Sequence, residues 1–287
     1  MLRRTTLFMP GNNPAMLLSS SVLGADSVIL DLEDAVALNQ KDSARILVRE
    51  AIKNLDFSNV EVMVRINPVG TPYWKEDLQQ IIPVKPDIIM IPKATKDDVI
   101  AVEKLVKELE QQHQLSTPVR FVLIAETAYG VETIVDTLKA SQRIDGVLLG
   151  AEDFTTDMEI MRTKEGQEIE YARNKIAISA KAFNIQAIDT PFTDVNDFEG
   201  LKKDTQHAKA LGFTSKALIN PRQVDVVHEV FSPSEEEINN AKAILLEQEK
   251  ALSKGLGVFS FKGKMVDQPI IVRAQKTMQL ARKLGLE

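Results

Sequence analysis

The acidic and basic side chains of this chain that could work together fall at the ends of short apolar runs. In VILDLEDAV, Asp31 and Glu33 lie two residues apart, so on an extended strand both carboxylates project to one face while Leu32 projects to the other. The same count in VMVRIN puts Arg65 and Asn67 on one face and leaves Val62, Val64 and Ile66 to pack against helices. Glu126 closes RFVLIAE on the face of Val122 and Ile124, and Asp153 closes GVLLGAED on the face of Val147, Leu149 and Ala151. Neighbouring strands lie about 4.8 Å apart, so carboxylates at adjacent strand ends can share one cation. A hard divalent ion such as Mg²⁺ takes one or two protein carboxylates and fills its octahedron with water and substrate oxygens, a count that Glu126 and Asp153 meet. Asp31 and Glu33 could then hold ligand waters, and Arg65 offers a bidentate fork to a substrate carboxylate. The alternative is that these groups pair only with one another.

Other positions carry two readings each. Pro10-Gly11-Asn12-Asn13-Pro14 follows the first apolar run, and its backbone N–H groups could receive an anion, although Asn13 before Pro14 also suits a turn and helix cap. Lys93 and Lys216 could form Schiff bases if desolvated; salt bridging is the preferred reading for both. Asn220 before Pro221 suits a substrate contact or a turn. His113, His207 and His228 stand away from the strand ends, and no GxGxxG or Walker pattern is present, so Ser/His/Asp catalysis and nucleotide cradles have little support. Trp74 and Tyr129 read as packing residues.

Eight such runs recur, at 6–10, 26–33, 60–67, 87–93, 120–126, 146–153, 185–191 and 215–221. The spacers 14–22, 41–54, 96–112, 129–140, 165–183 and 198–211 mostly carry apolar residues at helical spacing. Strands alternating with helices point to a parallel sheet, and eight of them to a closed α/β barrel of the TIM (β/α)8 type. Nearly every run ends in a charged residue, Asn or Pro at its C-terminal side, the edge where such barrels place their chemistry. The expected division is a barrel over 1–231 and a C-terminal extension over 232–287. Ser232 and Ser234 are candidate caps for a helix beginning EEEINN, residues 255–267 suggest a loop or hairpin, and a last helix runs to about 284.

Composition narrows the chemistry further. The 287 residues carry 35 Lys and Arg against 41 Asp and Glu, and a net charge of −6 argues against general attraction to nucleic acid. Absence of cysteine excludes disulfides, Cys-based zinc or iron–sulfur sites and a thiolate nucleophile. No window approaches the roughly 20 apolar residues of a membrane span, and the segment after Arg3 and Arg4 is too short for a signal core, so no membrane role and a cytoplasmic location are expected.

The segments LFMPGNNPAM, DSVILDLEDAV, VRINP, IMIPKA, IAETAYGV, GAEDFTTDM, AIDTPFTD, GFTSKALINPRQV and GKMVDQPI together resemble the citrate lyase beta-subunit family, within a wider group of thioester lyases that includes malyl-CoA lyases. The resemblance runs from about residue 3 to 285. It implies a TIM barrel, Mg²⁺ held by Glu126 and Asp153, and cleavage of a citryl thioester into oxaloacetate and an acetyl thioester by a reverse Claisen reaction. It also implies that Asp267 of GKMVD, on a C-terminal extension packed on a neighbouring subunit, completes the site as proton donor. Candidate catalytic residues are thus Asp267, Arg65 and Glu33, and candidate substrate contacts Arg65, Asp31, Pro10, Gly11, Asn12 and Asn67. Implied partners are an acyltransferase alpha subunit, an acyl-carrier gamma subunit and further copies of the chain in a homotrimer or hexamer. Glu152, where some relatives carry an apolar or aromatic residue, departs from the pattern. The alternatives are a free-standing malyl-CoA-type lyase or synthase, a Schiff-base aldolase, and a scaffold subunit inactive without partners.

Overall fold

Aliphatic runs that are apolar on both faces suit a sheet covered on both sides, and eight of them form strands in the computed structural model, which describes residues 2–253 and 255–287. These are β1 (Thr5–Pro10), β2 (Ser27–Asp31), β3 (Glu61–Arg65), β4 (Ile88–Ile91), β5 (Arg120–Ala125), β6 (Ile144–Leu149), β7 (Gln186–Asp189) and β8 (Ser215–Leu218). All pair in parallel with their sequence neighbours, and β8 returns to β1 to close the barrel. Helices lie between the strands: α1 (Pro14–Ser19), α2 (Lys41–Asn54), α3 (Trp74–Ile81), α4 (Lys96–Gln112), α5 (Ala128–Glu132), α6 (Ile134–Leu138), α7 (Ala151–Asp157), α8 (Glu170–Ala182) and α9 (Phe198–Leu211), with α10 (Val224–Phe231) following β8. The fold is a TIM-like (β/α)8 barrel. Short α3, α7 and α10 were not anticipated, because helices of seven or eight residues carry too few turns for a periodic pattern.

Strand alternation sorts the barrel into an inner and an outer set. Phe8, Ile29, Met63, Ile88, Met90, Val122, Ile124, Leu148, Ile188 and Ala217 pack into one internal cluster. Below it, Arg3 donates to Glu61 at 2.6 Å and to Gln186 at 2.9 Å, and Arg120 donates to Glu61 at 2.7 Å and pairs with Asp145. This polar plug fills the N-terminal end of the strands and leaves the C-terminal end as the mouth. On the outer side, fully buried Lys216 donates to Asp189 at 2.5 Å and to Asp204 at 2.6 Å, and Arg173 joins the same two acids. Two cations and two anions there neutralise one another under α8 and α9, so Lys216 is a salt-bridging residue of the barrel wall.

Residues 3–227 form one compact unit and residues 228–287 a second. In the second, Ser234 caps α11 (Glu235–Leu252) through a capping box with Glu237. Strands β9 (Phe259–Phe261) and β10 (Lys264–Val266) make an antiparallel hairpin whose two-residue turn, Lys262-Gly263, has positive φ at both positions. Helix α12 (Gln268–Lys283) packs Ile271, Ala274, Met278 and Ala281 with Val266 of the hairpin and with Ile238, Ala241 and Ile244 of α11.

Candidate active site

Inward alternation carries Ile29 to Asp31 and Met63 to Arg65, and the two end residues meet above the apolar layer. Arg65 donates through Nε to Asp31 Oδ1 and through Nη2 to Asp31 Oδ2, both at 2.7 Å. Its Nη1 stands 2.8 Å from Glu33 Oε2, and its guanidinium lies 5.0 Å from the centre of the Phe8 ring. Burial works against this guanidinium, but the hydrogen-bonded Asp31 and the charges of Glu33 and Asp34 hold it charged at any working pH. Of the five guanidinium N–H groups, two go to Asp31 and one faces Glu33, so at most two remain for a ligand. The bidentate fork expected for substrate is therefore largely taken up by Asp31, which also accepts the N–H groups of Glu33 and Ala35.

Glu126 follows β5 at the same level. Its carboxylate accepts the Lys93 backbone N–H at 2.6 Å, and Gly150 makes room for it, since a Cβ there would stand 2.6 Å from Glu126 Oε2. Burial, reinforced by the charges of Glu33 and Asp153, pushes the Glu126 carboxyl up to about 8 despite the nearby Lys93 ammonium. Burial likewise raises Glu33, outweighing Arg65 and Lys93.

Asp153 reaches the mouth by a route other than the expected one. Strand β6 ends at Leu149, the inward residues of that strand are Gly146 and Leu148, and Asp153 lies in the first turn of α7. On a continued strand its parity with Val147 and Leu149 would have faced the helices; the turn at Gly150 brings it to the mouth instead. There the Lys93 ammonium bridges Glu33 Oε1 at 3.2 Å and Asp153 Oδ2 at 3.3 Å. Glu33, Asn67 and Lys93 also lie just beyond their strands, in the turns that follow.

A cavity of about 460 Å³ opens among these groups, with Phe8, Pro10, Asp31, Arg65, Glu126 and Asp153 in its wall. Asp34, Met16, Thr190 and Ile219 complete much of the lining and were not anticipated as site residues; Glu152, the departure from the family pattern, which was set aside in favour of Asp153 as an ion ligand, lines it too. Thr190 and Ile219 were within reach of alternation, two residues beyond inward Ile188 and Ala217. The others depend on turn and helix orientation.

The remaining candidates have other partners. The Gly11 N–H donates to the Asp31 carbonyl at 2.9 Å, and a Cβ on Gly11 would stand 2.5 Å from that oxygen, so Gly11 is there for close backbone packing. Asn12 donates to Gln40 at 2.5 Å, and Asn13 caps α1 by accepting from the Met16 N–H. The Asn67 side chain and backbone both donate to Asp77, which also accepts from Arg45. Asn220 accepts from the Arg222 N–H in a turn. Trp74 is buried, whereas Tyr129 is exposed and is not a packing residue. Asp267 lies in the second unit, preceding α12, where its side chain makes no capping hydrogen bond.

Two carboxylates, one held against its charge, make a site short of positive charge, and Glu126 with Asp153 fits one hard divalent ion that takes its other ligands from water and substrate. No cluster of three or more His, Cys, Asp or Glu side chains placed to hold a metal occurs among the described residues, so an ion would rely on that outside ligation. No helix among the described residues is long and apolar enough to cross a membrane.

The family profile described as HpcH/HpaI aldolase/citrate lyase matches residues 4–221. Citrate lyase subunit beta of Leuconostoc mesenteroides subsp. cremoris is 45% identical over 282 residues, covering 98% of this chain and 93% of that protein. The mitochondrial citramalyl-CoA lyase of Homo sapiens is 34% identical, over 98% of this chain and 86% of that protein. Among solved structures, the protein CitE of Mycobacterium tuberculosis in complex with magnesium, acetoacetate and coenzyme A superposes with a TM-score of 0.82 at 30% identity, covering 98% of each chain.

Proposed function

The chain belongs to the HpcH/HpaI aldolase/citrate lyase family, and we propose that it is a carbon–carbon lyase of the citrate lyase beta-subunit type, cleaving a citryl thioester into oxaloacetate and an acetyl thioester with Mg²⁺ as cofactor. The observation that carries this reading is the meeting of Glu126, Asp153 and Arg65 on one cavity, in a chain 45% identical to a citrate lyase beta subunit over nearly its whole length. Glu126 and Asp153 would hold the ion. When bound, Mg²⁺ acts as a Lewis acid, lowering the pKa of the substrate hydroxyl and stabilising the carbonyl that forms from it.

The chain's own residues supply orientation and a proton. Arg65, locked by Asp31, presents its remaining N–H donors to a substrate carboxylate, a charge-assisted contact that fixes the oxaloacetate end. Glu33 lies behind Arg65 and Lys93 and acts through them as a positioning residue. Pro10 walls the cavity and Gly11 packs against the backbone of Asp31 beside it, while Asn12 and Asn67 turn to Gln40 and Asp77. In the reaction the hydroxyl gives its proton to solvent, the carbon–carbon bond breaks to leave the keto group of oxaloacetate, and its electron pair passes to the α-carbon of the departing thioester. Asp267 of a neighbouring copy, in a homotrimer or hexamer, delivers a proton to that carbon. An acyltransferase alpha subunit and an acyl-carrier gamma subunit would supply and remove the thioester in the cytoplasm.

A second reading is favoured by the 34% identity to a citramalyl-CoA lyase: the same strand-end chemistry on a malyl-type thioester, without partner subunits. Assay of purified chain with citryl-CoA, citramalyl-CoA and malyl-CoA separates the two. Preferential release of oxaloacetate from citryl-CoA is expected. Higher kcat/KM on citramalyl-CoA or malyl-CoA would overturn the citryl assignment.

A further inference from the structure

Lys93 touches the acidic cluster from two sides. Its backbone has φ of +48°, a left-handed conformation that a lysine adopts at a cost and a glycine freely. In that conformation its N–H points at Glu126 while its side chain turns back to Glu33 and Asp153. The two cations at the mouth are held very differently. Arg65 is nearly buried and bonded twice to Asp31 at 2.7 Å, whereas the Lys93 side chain is 40% exposed and its ammonium stands 3.2 and 3.3 Å from its carboxylates. One is fixed; the other sits beside solvent with loose contacts and can withdraw. One of the acids it bridges, Asp153, is also one of the two that would bind the divalent ion.

We propose that Lys93 is a resident counter-cation of this site, neutralising Glu33 and Asp153 before the divalent ion arrives and competing with that ion for Asp153. Its backbone N–H meanwhile holds Glu126 whichever cation is present. Lys93 is thus a positioning residue, and this role rests on the assignment of the ion to Glu126 and Asp153. The expected consequence is weaker, more readily reversed ion binding than the carboxylates alone would give.

The test is calorimetric titration of Mg²⁺ into the whole chain at about pH 9, where the Glu126 carboxyl is largely ionised, with thermal unfolding in EDTA and in saturating Mg²⁺. Lys93→Met removes the charge and keeps the backbone contact; it should bind Mg²⁺ about tenfold more tightly, the upper range for losing the two ion pairs of a part-exposed lysine, one to buried Glu33 and one to Asp153. Its ion-free unfolding midpoint should fall below wild type, and the gap should close in saturating Mg²⁺. Lys93→Gln, a second uncharged side chain in case the Met variant folds poorly, should behave alike, and Lys93→Arg should restore both wild-type values. Unchanged or weaker Mg²⁺ affinity in the uncharged variants would overturn the role of Lys93. Glu126→Gln separates the two levels: if that variant binds Mg²⁺ like wild type, the ion assignment itself fails.

Discussion

Replacing Glu126 by Gln keeps the side chain's shape and the acceptor for the Lys93 N–H but removes a carboxyl that burial, with Glu33 and Asp153 close by, pushes up to about 8. In the unfolded chain the same group titrates near its ordinary 4.5. Between those values the folded protein binds a proton that the unfolded chain has released, so the ion-free fold loses stability as pH rises. The loss begins above about 4.5 and levels off above about 8; between pH 6 and pH 8 it amounts to about 2 kcal/mol. Urea unfolding in EDTA at both pH values, for wild type and Glu126→Gln, isolates this contribution as a double difference. Wild type should lose about 2 kcal/mol more than the variant across that interval, and excess Mg²⁺ should return most of it, because the ion favours the ionised carboxylate. Parallel profiles for the two proteins would refute the reasoning that this carboxyl is held against its charge.

Three further outcomes follow from the same geometry. Gly150→Ala places a methyl 2.6 Å from Glu126 Oε2, so it should weaken Mg²⁺ binding at least tenfold in calorimetry and cost about 1–3 kcal/mol in urea unfolding. Asp31→Ala leaves Arg65 buried without its bidentate partner and should cost about 3–5 kcal/mol of stability with a large fall in kcat/KM; near-normal turnover would deny Arg65 its place in substrate binding. Mixing inactive Arg65→Ala and Asp267→Ala chains should restore part of the activity where their interfaces combine, and verified mixed oligomers that stay inactive would count against a shared site.

Much of the mouth was legible because a strand's alternation is rigid. Asp31, Arg65 and Glu126 follow inward residues by two, so counting from Ile29, Met63 and Ile124 places them in the cavity wall. Asp153 was found by its position near the end of a run, although the counted face was the wrong one; alternation stops at Gly150, where the chain turns into a short helix. The two-sided hold of Lys93 was out of reach, since it depends on a left-handed backbone at a residue that seldom adopts one. Competition among polar groups was equally hidden. Arg65 suits a substrate carboxylate by type, but only the fold reveals that Asp31 takes its Nε edge, and Asn67 shares a face with Arg65 yet turns to Asp77.

The most direct measurement is citryl-CoA cleavage by purified chain as a function of Mg²⁺ concentration, for wild type, Glu126→Ala and Asp153→Ala, with folding checked by circular dichroism. Joint ligation requires saturable Mg²⁺ dependence in wild type and its loss in both folded variants. Normal turnover by either variant at limiting Mg²⁺ would contradict it.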